Sequence, residues 1–188
     1  MIVREALPGE AETVGALRVE AYESQGLLTG NPGYADSLRS FGFDVHGTVL
    51  VAVDDTDGSD GAGGSDGAGG AGGSDGAGGK LLGTVMLEPW SPDSEVARHP
   101  DEPEVRMLAV ASWAQGRGVG RALMLAVIDA AAASGARRLL LSTRPVMKAA
   151  QHIYESLGFT RTPELDWTPV PGVLLLGYEL PLSTIASH

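Results

Sequence analysis

Along the chain, short apolar runs alternate with longer stretches whose apolar residues recur at helical spacing. Val49–Val53, Leu81–Leu87 and Leu139–Leu141 are contiguous apolar segments, the pattern of strands buried in a core. Ile2–Ala6, Glu104–Ala111, Arg137–Ser142, Phe159–Arg161 and Val173–Leu180 also read as strands. Between them lie helices. Pro8 and Gly9 open one that puts Val14, Leu17, Ala21 and Tyr22 on a single face. A short helix is predicted near Tyr34–Phe41, an Ala/Leu-rich one over Gly120–Ser134 ending at Gly135, and one over Lys148–Leu157 stopped by Gly158. Ser91–Pro103, which holds Pro92, Pro100 and Pro103, reads as loop. Strands with intervening helices predict a mixed α/β sheet, and the length suits one domain over 1–188.

One segment breaks the pattern. The unit GSDGAGG occurs at 58–64, 64–70 and 73–79. Such a segment has nothing to bury and is expected to behave as a flexible linker. Because strands flank it, we read 55–79 as an insertion within the domain, the expanded turn of a hairpin; loop-closure entropy grows only logarithmically with length. Asp55 and Asp57 stand two apart, as in a calcium loop, but the sixth position is Asp60 rather than Gly and the twelfth Asp66 rather than Glu. Beta-roll calcium repeats need a large apolar residue per unit, and Ala is the largest available.

Charge narrows the partners. The net charge is −11, but Asp54, Asp55, Asp57, Asp60, Asp66 and Asp75 sit in or beside the insertion; −11 plus these six leaves −5 for the rest. That surface argues against nucleic acid and is mildly favourable to a cationic substrate. No apolar run reaches the roughly 18 residues of a membrane span, and no basic-then-apolar signal opens the chain, so a cytoplasmic, membrane-free protein is expected. There is no cysteine, hence no disulfide or thiolate chemistry. His46, His99, His152 and His188 show no metal-ligand spacing, and no metal is expected; His152 is read as surface or packing.

The stretch EVRMLAVASWAQGRGVGRALM, Glu104–Met124, is the informative one: strand, turn, glycine loop, helix. Gly116, Gly118 and Gly120 let backbone N–H groups converge and a ligand approach, while the helix start adds unpaired N–H groups and its positive dipole end. The result is an anion site suited to a pyrophosphate, with Arg117 and Arg121 beside it. It is not a dinucleotide fingerprint, because counting from Gly116 the last glycine position is Arg121, and no P-loop is present. Taken alone, a plain tight turn between strand and helix explains the loop equally well.

Two motifs together make a resemblance. Gln115, Gly118 and Gly120 fill the [QR]-x-x-G-x-[GA] loop of the GNAT superfamily of N-acetyltransferases, and AAQHIYESLGF at 149–159 resembles its A-x-x-x-Y-x-x-x-G-F segment. The resemblance covers about 104–160. It implies a mixed, mostly antiparallel twisted central sheet of about six or seven strands flanked by about four helices. It also implies an acetyl-CoA-dependent acyltransferase acting on a primary amine of a small molecule or peptide, by direct attack in a ternary complex. One departure is Met147, where many members carry Asn to help hold the cofactor. A non-catalytic acyl-CoA-binding module and a pure interaction domain are the alternatives. Monomer and homodimer are equally compatible.

Site residues follow partly from the resemblance. It implies acetyl-CoA contacts from backbone at Leu108, Ala109 and Val110, where the family's strand bulges and splays, and from the loop Gln115, Gly116, Arg117, Gly118, Val119, Gly120 and Arg121, with Ser112 as an additional contact. Glu104, at the start of the central strand, matches the position of a general base in several members. The alternative is a solvated residue paired with Arg106, with Asp101 and Glu102 as rivals. Tyr154 is the candidate general acid, since a phenol pKa near 10 is close to that of a departing alkyl thiol; packing in the core is its alternative. Tyr22 and Tyr34 are candidates to line the acceptor pocket, and Asp166 and Trp167 to close it.

Overall fold

A computed structural model describes residues 1–28, 32–40, 42, 47–54 and 79–182. His46, His188 and residues 55–78 of the insertion lie outside the described residues, as does Phe41 at the end of the second predicted helix. The strands are β1 (Ile2–Glu5), β2 (Thr48–Val53), β3 (Leu81–Glu88), β4 (Glu104–Val110), β5 (Arg138–Thr143), β6 (Thr160–Arg161) and β7 (Leu176–Pro181). The helices are α1 (Ala11–Ser24), α2 (Pro32–Ser40), α3 (Val119–Ala133) and α4 (Lys148–Ser156). One seven-stranded sheet runs β1-β2-β3-β4-β5-β7-β6, antiparallel throughout except for the parallel pair β4–β5. This is the mixed α/β, mostly antiparallel architecture that the motifs imply.

The two-residue period of the strands sorts their side chains between two layers. In β2, Val49, Val51 and Val53 pack with Val14 of α1 and Met86, whereas Leu50 and Ala52 face the larger core built on Leu123, Met124 and Val127 of α3. In β5, Leu139 and Leu141 join that larger core, and Leu140 points the other way, onto Val96 and Ala97. Hence α1 covers one face, and α3, with Tyr154 of α4, the other. Gly83 of β3 sits where α3 meets the sheet. A Cβ there would lie 2.8 Å from the Ala109 carbonyl oxygen and 2.9 Å from a Val119 methyl, so a side chain would push the start of α3 outward.

The last strand begins at Leu176 rather than Val173, because Val170–Val173 forms a turn closed by the Val173 N–H to the Val170 carbonyl. At the base of the insertion, β2 and β3 pair antiparallel and the Asp54 N–H donates to the Lys80 carbonyl at 2.9 Å.

The sheet is interrupted at its centre. Two β4 residues, Met107 and Leu108, oppose the single Val85 between the pairs Thr84↔Ala109 and Met86↔Arg106, and Met107 takes φ 54°. That is a bulge, which twists and bends its strand. On the other side, β4 pairs β5 only through Glu104↔Leu140 and Val105↔Leu141. Beyond Val105 the two strands part, and the split between them leads from the end of β4 into a cavity on the α1 face.

Candidate active site

The glycine loop stands where β4 ends. After a short turn at Ser112–Ala114 the chain enters Gln115–Gly118, and Gly116 and Gly118 have φ of 75° and 79°, a region that residues with a Cβ adopt only under strain. Gly118 is the N-cap of α3. It has no side chain to cap the helix, and the first turn carries no acidic residue, so the amides of Val119, Gly120 and Arg121 have no hydrogen-bond partner among the described residues. A Cβ at Gly116 or Gly118 would meet nothing within 4 Å, so the approach to those amides is clear.

Cations surround the helix start. Arg117 reaches Asp54 at 3.4 Å, Arg121 donates to Ser156 Oγ at 3.1 Å, and Lys80 lies 3.8 Å above the ring of Trp113, itself 46% exposed. Free amides, a helix dipole and three cations fit the pyrophosphate of a CoA. Gly118→Val is therefore expected to strain the loop and block that approach. Acetyl-CoA affinity should fall about tenfold or more by calorimetry, with circular dichroism unchanged; equal affinity would reduce the loop to a turn.

The cavity across the split encloses about 580 Å³. Tyr22 of α1 and Tyr34 of α2 line it, their rings 6.0 Å apart, as do Glu95, Arg106 and Arg144. The Glu95 carboxylate, 24% exposed, accepts from Arg106 at 2.7 Å and lies 3.5 Å from Ser142 Oγ. Burial pushes its pKa above the usual carboxylate range, opposed by Arg106 and reinforced by the negative charge of Glu104. Arg106 also bonds Glu88 at 2.8 Å. Burial likewise raises the Tyr22 pKa well above that of an ordinary phenol, with Tyr34 and Tyr154 adding to the effect.

Glu104 does not reach this cavity. It is 1% exposed, and its Oε1 accepts from the amides of Val96 at 2.7 Å and Ala97 at 2.5 Å, while Oε2 accepts from the Glu95 amide at 3.3 Å. Its side chain shares a face with Leu140, its partner in register, and there it ties down the loop that carries Glu95. Nor does it form an ion pair with Arg106, which is bound by Glu88 and Glu95. Of its rivals, Glu102 is sealed between Arg137 and Arg138, and Asp101 pairs with Arg137 at the surface. Asp166 is bound by Arg161 and the Gly177 amide, and Trp167 packs with Val96 and Leu140; the turn following them, Pro169–Val173, forms the cavity wall.

Tyr154 approaches from the opposite layer. It is buried, with its ring 6.0 Å from Phe159 and 6.1 Å from Tyr178, and its hydroxyl makes no hydrogen bond among the described residues. Burial raises its pKa far above that of a free phenol, so it is protonated at any working pH. Met147, in place of the family's Asn, lines the cavity and accepts a weak bond from Thr143 Oγ1 at 3.6 Å. Among the described residues no three His, Asp or Glu side chains are arranged to hold a metal, and no helix is long and apolar enough to cross a membrane.

A model of the acetyltransferase (GNAT) family matches residues 65–159, just over half of the chain. The chain belongs to the GNAT acetyltransferase family. It is therefore an acyltransferase. Among solved structures, a GNAT-family acetyltransferase from Staphylococcus aureus Mu50 superposes with a TM-score of 0.68 at 13% identity, covering 97% of this chain and 99% of that one. A GCN5-related N-acetyltransferase from Kribbella flavida gives 0.62 at 25% identity, over 96% and 97% of the two chains. The Salmonella typhimurium protein yncA, solved with its cofactor acetyl-CoA, gives 0.62 at 17% identity, over 100% and 97%. The N-acetylaspartate synthetase of Danio rerio is 37% identical over 70 residues, 37% of this chain and 25% of the relative. The match thus spans about a quarter of that relative's length.

Proposed function

We propose that this GNAT acetyltransferase transfers the acetyl group of acetyl-CoA directly to a primary amine, with both substrates bound at once on either side of the split between β4 and β5. One observation supports this most: the split opens at one end beside the uncapped start of α3 and at the other into the cavity holding Glu95. The relatives add a donor and an acceptor type, since yncA holds acetyl-CoA and the Danio rerio enzyme is named for an N-acetylated amino acid.

In this reading acetyl-CoA, when bound, supplies a thioester carbonyl. The amides of Val119–Arg121, with Gly116, Gly118, Arg117 and Arg121, hold its pyrophosphate, with Gln115 at the foot of the loop. Backbone groups of Leu108, Ala109 and Val110, freed from β5 by the splay, bind the pantetheine arm and polarise the carbonyl. Glu95 takes the proton from the amine, and its raised pKa makes it a better base than an exposed carboxylate. Tyr22 and Tyr34 frame the amine. Tyr154 gives a hydrogen bond or proton to the departing sulfur. From the ammonium form nitrogen gives up two protons, the first to Glu95 before attack and the second as the C–N bond forms and the C–S bond breaks; sulfur gains one, and one is released to solvent. Glu104 anchors the loop that positions Glu95.

The test is thiol release from acetyl-CoA across a panel of primary amines. Amine-dependent release supports the reading. Tight acetyl-CoA binding without release from any amine would leave a binding module in its place. That the chain is one domain, acts in the cytoplasm and is a monomer or homodimer are further proposals; sedimentation and cell fractionation test the last two.

A further inference from the structure

Arg144 lines the cavity with no carboxylate partner among the described residues, whereas the cavity's other arginine, Arg106, has two. Arg106 is held by Glu88 and Glu95, whereas Arg144 gives its one hydrogen bond, 3.1 Å, to the Leu27 carbonyl and has no acidic partner among the described residues. Four of its remaining guanidinium N–H groups are thus open to a planar, two-oxygen acceptor, the geometry an arginine fork satisfies best. A carboxylate for Arg144 and an amine for Glu95 make the acceptor a zwitterion, not the simple cation suggested by the acidic surface.

Spacing sets the shape of that zwitterion. Ser142, which adjoins Glu95, and Arg144 are two residues apart at the end of β5, roughly 6–7 Å along an extended chain. An amine facing Glu95 and a carboxylate facing Arg144 therefore belong to one compact head group. Opposite them the wall is apolar, built from Val105 and Met107 of β4 and from Val170, Val173 and Leu175.

We propose that Arg144 selects the acceptor by gripping its carboxylate, so that the amine acetylated is that of a free α-amino acid with an apolar side chain. The proposal rests on acetyl transfer to an amine in this cavity. It makes Arg144 a binding residue for the acceptor.

The experiment compares leucine with leucinamide, 3-methylbutylamine and putrescine in the acetyl-CoA thiol-release assay, for the native protein and for Arg144→Gln and Arg144→Lys. The native protein should favour leucine over leucinamide by roughly 10- to 100-fold in kcat/KM, the scale of a charge-assisted bond. The amide is the less basic amine and offers more free base near neutral pH, so protonation cannot produce that preference. Arg144→Gln should raise KM for leucine and erase the preference, and Arg144→Lys should restore part of it. Equal use of leucine and its amide by the native protein would overturn the proposal while acetyl transfer stands, and so would an Arg144→Gln protein that loses rate on both alike, the sign of a structural tie to Leu27. Silence with every amine would overturn both readings. If Arg144→Gln fails to fold, the native comparison and Arg144→Lys still decide.

Discussion

Glu95→Gln is expected to lower kcat about 10³-fold near neutral pH, within the range for a positioned general base. The native protein needs Glu95 ionised, so its rate should climb with pH through a pKa that burial has lifted above the usual carboxylate range, and that acidic limb should vanish in the variant. Raising pH further supplies free amine from solution and should recover part of the loss. Stability separates this from misfolding. The folded chain holds the Glu95 proton more tightly than the unfolded chain, whose value is near 4.5, so the stabilising contribution is complete below that value. It drains away as pH rises through the folded pKa, and a glutamine does not lose it; the Glu95→Gln protein should melt with less pH dependence on the acid side. Glu104→Gln should do the reverse. It swaps an oxygen for a donor opposite a backbone amide, so Tm falls, while the acidic limb persists and moves to lower pH because the negative charge that helped raise Glu95 is gone. A Glu95→Gln protein with native rate and limb would remove Glu95 from the chemistry.

Tyr154→Phe is expected to lower kcat about 10²-fold, with acetyl-CoA affinity and Tm nearly unchanged. The phenyl ring keeps its contacts with Phe159 and Tyr178, and the hydroxyl it loses has no partner among the described residues. The raised pKa changes the nature of the contribution. An ordinary phenol would exchange a proton with a departing thiolate on level terms, but this one is the weaker acid. Its effect must come chiefly from hydrogen bonding as negative charge grows on sulfur. Single-turnover kinetics, which isolate the chemical step, are the measurement. A normal single-turnover rate would leave Tyr154 a core residue.

Most of the architecture was legible because β2, β3 and β5 are apolar runs buried on both faces, and because glycines mark the ends of α3 and α4. The glycine loop was legible only in company: its spacing alone fits a plain tight turn, and it was the second motif at 149–159 that marked Gln115, Gly118 and Gly120 as the family's loop. The acidic residue facing the cavity was not. Glu104 occupies the strand position to which the resemblance assigns a base, but the same two-residue period lays its side chain under Val96 and Ala97, whose amides claim it. Glu95 lies in a proline-punctuated loop with no periodicity, so nothing local marks where it points. Arg106 offered a partial clue, being two residues from Glu104 on one strand face. Arg144 follows the end of β5, and its exposure to the cavity depends on α1 and the turn at Val170–Val173, elements more than 25 residues away in sequence. Tyr22 and Tyr34 line the cavity because two separate helices converge, a contact no spacing within either helix encodes.

The parting of β4 from β5 gives the protein a sheet edge in its interior. Edge strands are where sheets recruit stray chains, and natural edges are blunted with charges or prolines. Here the strand beyond Val105 reads Arg106, Met107, Leu108, Ala109, Val110, with a single charge that is already tied to Glu88 and Glu95. On the reading proposed above, what blunts this edge is the pantetheine arm itself. On that reading solubility is linked to the supply of the donor, because bound acetyl-CoA covers the inner edge and its absence leaves an apolar strand open to another chain.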